Sequence, residues 1–118
     1  MKRLIIQQKP FSREHDALIA SGKLLETDYE DFEGILLQNP QMGAVIPGLG
    51  GIRKTRLKSA NKGKRGSFRV DYLDIPEVEI LHLIVIYAKD AKDDLSKDEK
   101  KILFNLAKKL KEEANKYG

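Results

Sequence analysis

Four short stretches with apolar residues predict β-strands, and the period of two that is typical of strands is clearest at Phe68, Val70 and Tyr72. The predicted strands cover residues 2–7, 52–59, 67–74 and 78–89. The last of them has apolar residues at both parities, which indicates a strand covered on both faces and lying inside a sheet. Residues 41–51, rich in glycine and proline, predict a loop.

Helical spacing of apolar residues predicts three helices. Ser12 is the expected N-cap of a short first helix that ends at residues 21–22. Thr27 and Glu30 have the spacing of a capping box, which predicts the start of a second helix that ends at residues 39–40. Ser96 and Glu99 repeat this spacing at the start of the third and clearest helix, which has an apolar stripe along one side.

The resulting order, β-α-α-β-β-β-α, has links of hairpin length between its last three strands. Such links join antiparallel neighbours, so the sequence predicts an α+β fold with a largely antiparallel four-stranded sheet. A length of 118 residues fits a single domain over residues 1–118 with one modest core.

Composition excludes several classes of protein. No apolar run approaches the roughly 20 residues that a membrane span needs, and the chain has no cysteine. We therefore expect a cytoplasmic protein without disulfides, a cysteine nucleophile or a membrane partner. The two histidines, His15 expected at the surface and His82 expected to be structural, suggest no metal site, and we expect neither a metal nor a cofactor.

The net charge of +4 is unevenly distributed along the chain. Residues 53–69 hold eight basic residues and no acidic one, whereas the rest of the chain holds 14 basic and 18 acidic residues. One concentrated cationic segment on a near-neutral body is typical of a protein that binds a polyanion such as nucleic acid. On charge alone, a solvated loop with no such partner is the alternative.

Strand alternation sorts these cations by face. Lys54, Arg56 and Arg69 are expected to project from the side opposite the core, and Tyr87 and Lys89 share one parity of the last strand. Such a surface suits RNA cleavage by the 2′-hydroxyl, because lysine and arginine stabilise the charge that develops on phosphorus. Tyrosine can serve there as an acid, a base or a stacking platform. Phosphate binding without catalysis is the alternative.

Five short motifs carry a further signal. They are Gly48-Leu49-Gly50-Gly51-Ile52-Arg53-Lys54-Thr55-Arg56, Gly63-Lys64-Arg65-Gly66, Phe68-Arg69-Val70, Tyr87-Ala88-Lys89-Asp90 and Asp94-Leu95. In combination they resemble the HigB branch of the RelE-type toxins, over roughly residues 27–110. The resemblance implies a RelE-like sheet with helices packed on one face. It also implies a metal-independent endoribonuclease that cuts mRNA in the ribosomal A site and is neutralised by a cognate antitoxin, often a helix-turn-helix protein.

The same resemblance assigns roles by position. It implies that Arg69 is a phosphate-binding catalytic residue, with Lys54, Arg56, Tyr87 and Lys89 as further catalytic candidates. The general base stays open among Lys54, Lys89 and Tyr87. The cations expected to bind mRNA or ribosomal RNA are Arg53, Lys58, Lys62, Lys64 and Arg65. Asp71, at the parity of Arg69, is expected to hold or screen that arginine.

Two other functions remain open at this point. A non-catalytic RNA- or DNA-binding module would use the same basic face. A degenerate toxin that only binds its antitoxin would retain the fold without growth arrest. The resemblance makes the ribosome-dependent mRNA endonuclease the leading hypothesis, and these two are its alternatives.

Overall fold

The computed structural model describes residues 3–59, 67–88 and 94–117, and these form three helices and one mixed sheet of five strands. The strands are β1 (Leu4–Gln7), β2 (Ala44–Val45), β3 (Arg53–Lys58), β4 (Ser67–Ile75) and β5 (Ile80–Ala88). The helices are α1 (Lys9–Ala20), α2 (Glu26–Gln38) and α3 (Lys97–Tyr117). The predicted α+β class is confirmed.

The strand order in the sheet is β1-β5-β4-β3-β2. β1 pairs with β5 in parallel, and every other pair is antiparallel, as hairpin-length links require. The predicted count of four strands is wrong by one, because β2 lies inside the segment predicted as a loop. With two exposed residues it is too short to leave a periodic pattern.

The predicted cap of α3 is confirmed, whereas those of α1 and α2 are wrong. Ser96 N–H donates to Glu99 Oε1 at 2.8 Å and Glu99 N–H donates to Ser96 Oγ at 3.1 Å, so the predicted capping box at α3 is confirmed. α2 instead begins one residue before Thr27 and has no side-chain cap. α1 begins before Ser12, with a proline in its first turn, where a missing N–H costs no hydrogen bond.

The helices lie on both faces of the sheet, and the prediction that they share one face is wrong. α1 and α2 pack with alternate residues of β4 (Phe68, Val70 and Tyr72) in a first apolar cluster. α3 packs with Leu73 and Ile75 of the same strand in a second cluster. Because successive residues of a strand point to opposite faces, these two sets place α3 across the sheet from α1 and α2.

β5 contributes to both clusters, and a β-bulge interrupts its pairing with β4. Asp71 pairs with Val85 and Tyr72 pairs with Leu83, so Ile84 is an extra residue without an opposite partner. Leu83 belongs to the first cluster and Ile84 to the second. The prediction of an interior strand covered on both faces is confirmed. In the described part of the chain, no helix is long and apolar enough to cross a membrane.

Candidate functional site

Strand register brings four of the predicted catalytic residues onto one face of the sheet. Arg56 of β3 lies directly opposite Arg69 of β4, which lies opposite Tyr87 of β5. Two residues along β3, and so on the same face, Lys54 lies opposite Asp71 of β4. Directly opposite residues share a face and have Cβ atoms about 4.5–5.5 Å apart. We call Lys54, Arg56 and Arg69, with Tyr87 beside them, the cationic cluster. It lies on the α3 side of the sheet.

Arg69 is the buried centre of this cluster. Its side chain is 6% exposed, and its Nε donates to Asp71 Oδ1 at 3.0 Å. Its Nη1 donates to Asp94 Oδ1 at 3.2 Å. Its Nη2 is buried and has no hydrogen-bond partner among the described residues. Two carboxylates thus hold an arginine that stands across from a second arginine, and they offset the repulsion between the two guanidinium groups.

The charges of Arg69 and Asp71 depend on each other. Burial raises the pKa of Asp71, and the hydrogen bond and charge of Arg69 offset part of that rise. For Arg69, burial lowers the pKa, but the hydrogen bond and charge of Asp71, together with Tyr87 and Asp94, outweigh burial and leave the pKa above its ordinary value. Arg69 therefore stays cationic at any physiological pH, and Asp71 keeps its guanidinium oriented.

Tyr87 borders the cluster at the start of α3. The Cζ atom of Arg69 lies 5.6 Å from the centre of the Tyr87 ring, within the range of a cation–π contact. Burial raises the pKa of Tyr87 to about 12, and the charge of Arg69 opposes that rise. At neutral pH the phenol is protonated, so Tyr87 suits the role of a proton donor or stacking platform better than that of a general base.

Lys54 and Arg56 are the exposed members of the cluster. Arg56 and Lys58 also line a groove of about 620 Å³ with Asp28 and Asp31 of α2. Both cations can therefore reach solvent at the edge of β3 that faces away from β4. Since Arg69 is buried, a polyanion arriving at this face meets Lys54 and Arg56 first.

Arg53, predicted to bind RNA, lies elsewhere. It is paired with Tyr72, whose side chain is in the first apolar cluster, so Arg53 belongs to the opposite face from Lys54. Its Nη1 donates to Gly43 O at 2.7 Å and to Gln41 O at 3.2 Å. These bonds secure the segment before β2. The structure therefore gives Arg53 a structural role that alternation alone did not predict.

Four of the predicted site residues fall outside the described residues. They are the catalytic candidate Lys89 and the RNA-binding candidates Lys62, Lys64 and Arg65. Their roles stay predictions.

Asp94 belongs to the Asp94-Leu95 motif of the resemblance, but the sequence predicted no role for its carboxylate. That carboxylate accepts from Arg69 Nη1 and from Leu95 N–H, the latter at 2.7 Å. The useful signal was its position just before the capping box of α3, which fixes it beside the N-terminus of that helix.

The histidines take no part in the cluster. His82 is 7% exposed, and its Nδ1 is 3.0 Å from Gln8 Nε2, a hydrogen bond that fits the predicted structural role. His15 is 8% exposed and contacts Tyr29, so its prediction as a surface residue is wrong. Among the described residues, no three His, Asp or Glu side chains form a group able to hold a metal ion.

Comparisons with known proteins support the architecture. No protein-family model matches the chain. Among solved structures, a double mutant of the E. coli toxin RelE in the free state has a similar fold, with a TM-score of 0.50 and 21% sequence identity. The match covers 79% of this chain and 90% of that one. At this identity the similarity shows the fold alone, and the predicted RelE-like fold is confirmed.

Proposed function

We propose that this protein is a ribosome-dependent mRNA endoribonuclease, the toxin of a toxin–antitoxin pair of the HigB type. The observation that carries the proposal is the cationic cluster, four predicted catalytic residues in register on one face of a RelE-like sheet. A solved structure to which this chain is similar is that of a toxin, E. coli RelE. The toxin domain would span residues 1–118.

The cluster suits metal-independent cleavage of RNA by its own 2′-hydroxyl. Lys54 and Arg56 are exposed and would contact the phosphates that flank the cut, while Arg69 supplies a fixed positive charge for the oxygens of the phosphorane. Tyr87, protonated at neutral pH, would stack on a base or protonate the leaving 5′-oxygen. This leaves Lys54 and Lys89 as candidates for the general base.

This function implies specific partners and a compartment. The substrate would be mRNA in the ribosomal A site, with ribosomal RNA as a second ligand of the basic segment. Lys58, Lys62, Lys64 and Arg65 would add salt-sensitive affinity for RNA. A cognate antitoxin, often a helix-turn-helix protein in systems of this type, would neutralise the activity. Because translating ribosomes are the site of action, the protein would work in the cytoplasm.

A non-catalytic RNA- or DNA-binding module is the second candidate. One observation favours it: Arg69 is held by two carboxylates, and its side chain is only 6% exposed. In that case Lys54 and Arg56 would bind phosphates, and nothing would cut them.

Purified protein added to ribosomes that carry a defined mRNA separates the two candidates. Primer extension would map the ends of the mRNA. We expect discrete cuts inside the A-site codon. A Lys54→Ala/Arg56→Ala double variant should cut at least about 100-fold more slowly, the usual effect of losing donors to a developing oxyanion. A matched control, Lys101→Ala/Lys108→Ala, removes two exposed cations from α3 and should cut like the wild type.

Two results would contradict the nuclease. Intact mRNA at saturating protein, together with RNA affinity that falls steeply with salt, would identify a binding module. Equal cutting by both double variants would remove the cationic cluster from the site, even if the mRNA is cut.

A further inference from the structure

We infer that Asp94 occupies the phosphate position on Arg69, and that an RNA phosphodiester binds Arg69 by displacing this carboxylate. This inference rests on the proposed function and concerns the regulation of the same site. Asp94 Oδ1 lies 3.2 Å from Arg69 Nη1. The adjacent Nη2 has no hydrogen-bond partner among the described residues. One half of the guanidinium edge is therefore held by a carboxylate, and the other half makes no hydrogen bond with any described residue.

The two carboxylates on Arg69 differ in how easily they can leave. Asp71 is fully buried in β4, between two paired strands, and accepts from Nε. The Asp94 side chain is 62% exposed and lies before α3, outside any strand. Moving Asp71 would leave a buried charge without a partner, whereas moving Asp94 returns a carboxylate to water. Asp71 is thus the positioning residue, and Asp94 is the exchangeable one.

A phosphodiester matches the position that Asp94 would vacate. A guanidinium binds a phosphate or a carboxylate through two parallel N–H groups, so Nη1 and Nη2 together suit two phosphate oxygens. Because Nε already donates to Asp71, the edge formed by Nη1 and Nη2 is the one able to bind a ligand. Arg56 stands opposite on β3 and would contact the same or the next phosphate.

In the protein without RNA, Asp94 blocks the phosphate position on Arg69. With Asp94 in place, the positive charge of Arg69 is balanced by two carboxylates, and its side chain is only 6% exposed. A weakly held RNA would gain little from Arg69, because it must compete with an intramolecular carboxylate. An RNA positioned by other contacts would gain the full interaction. The carboxylate would therefore favour cleavage of a substrate that is already held over that of free RNA.

The test uses the full chain and a fluorescein-labelled single-stranded RNA of ten nucleotides, with affinity measured by fluorescence anisotropy. Asp94→Asn should bind this RNA about two- to fivefold more tightly than the wild type, the range that an exposed ion pair contributes. Asp98→Asn is the matched control, because it removes one exposed acid from the first turn of α3 without contacting Arg69. Its affinity should stay within about 1.5-fold of the wild type. Equal gains in the two variants would show general charge repulsion and overturn the inference.

Nuclear magnetic resonance reports on Arg69 directly. The ¹⁵N signal of the Arg69 Nε–H should move when the RNA is added, and Asp94→Asn should lower the RNA concentration at which it moves. An Arg69 signal that does not change at saturating RNA would also overturn the inference. These readouts need no cleavage. If ribosome-bound mRNA stays intact but RNA affinity and the Arg69 signal change as expected, the proposed nuclease activity is wrong and the displacement of Asp94 is supported. If the mRNA is cut but affinity and signal do not change, the nuclease activity is supported and the displacement of Asp94 is wrong.

Discussion

The two faces of the sheet use the same strands in different ways. Toward α1 and α2, β4 presents Phe68, Val70 and Tyr72, each no more than 1% exposed, in a continuous apolar cluster. Toward α3, the same strand presents Arg69 and Asp71 at one end, and apolar residues at the other. α3 packs over the apolar end, and the charged end lies beside Asp94 and the N-terminus of α3.

This difference separates the residues that maintain the fold from those available for chemistry. On the first face β4 contributes mainly apolar side chains to the packing, and its polar groups have fixed partners: the Tyr72 hydroxyl donates to Pro40 O, and Asp74 pairs with Arg3. The second face buries an ion pair, and a buried pair stabilises a fold little compared with apolar residues of the same size. A charge placed there at the expense of stability is typical of a functional position. The predictions below test this comparison.

Asp71→Ala should have the largest effect on stability. It leaves the buried guanidinium of Arg69 without its main partner, and we expect a loss of about 3–5 kcal/mol in the free energy of unfolding, measured with urea. Asp94→Ala removes the other carboxylate on the same arginine but from an exposed side chain, and should leave the urea midpoint unchanged. Similar losses in both variants would contradict the division between a fixed and an exchangeable carboxylate.

Leu36→Ala tests the apolar face. Leu36 of α2 is fully buried in the first cluster, and its truncation should cost about 2–5 kcal/mol. The neighbouring Ile35 is 55% exposed, so Ile35→Ala should change the free energy of unfolding by less than about 0.5 kcal/mol. RNA binding should be unchanged in Leu36→Ala, because Leu36 is buried in the first cluster, away from the α3 side of the sheet. A loss of RNA affinity in the folded Leu36→Ala variant would show that the two faces are coupled.

His82 gives the α3 side a pH dependence. Burial lowers its pKa below the ordinary value of 6.5, and the nearby Glu113 carboxylate of α3 offsets part of this. The unfolded chain therefore binds the proton first, so stability is complete above pH 6.5 and falls as the pH drops through the folded pKa. Thermal melts between pH 8 and pH 5 should show a smaller decrease for His82→Gln than for the wild type. Parallel curves would exclude this histidine as a cause.

Arg56→Gln should have the smallest effect, in the opposite direction. Arg56 lies across from Arg69, and removing one of two facing cations should raise the free energy of unfolding by less than about 1 kcal/mol. The same variant should bind the ten-nucleotide RNA more weakly. A stability gain with an affinity loss would show directly that this position serves binding, and a loss of both would show that Arg56 is structural.

Much of the fold follows from local pattern. All three helices and the four longer strands were predicted within a few residues, because their apolar periods are strong and the capping box at Ser96 is complete. The side on which α3 packs could not be predicted. That side depends on Leu73 and Ile75 of β4, whose partners are distant in sequence. The two residues of β2 carry no period to detect.

In the candidate site, too, local pattern predicted the strand residues but not a contact between distant segments. Alternation correctly placed Lys54, Arg56 and Arg69 on one face, and register then added Tyr87. The contact between Arg69 and Asp94 spans 25 residues and depends on how the segment before α3 lies over the sheet. No spacing rule reports such a contact. For that reason the carboxylate that covers the arginine was missed, although the arginine itself was found.

The short length of β2 has a further consequence, for self-association. β2 pairs only with Arg53 and Lys54, so in the described part of the chain residues 55–58 of β3 pair with β4 alone. An open strand edge is a template for pairing with another molecule, and charged side chains oppose this. Arg56 and Lys58 are exposed on that edge. We expect Arg56→Ala/Lys58→Ala to aggregate more readily than the wild type by light scattering. The charges that we propose attract RNA would then also keep the free protein dispersed.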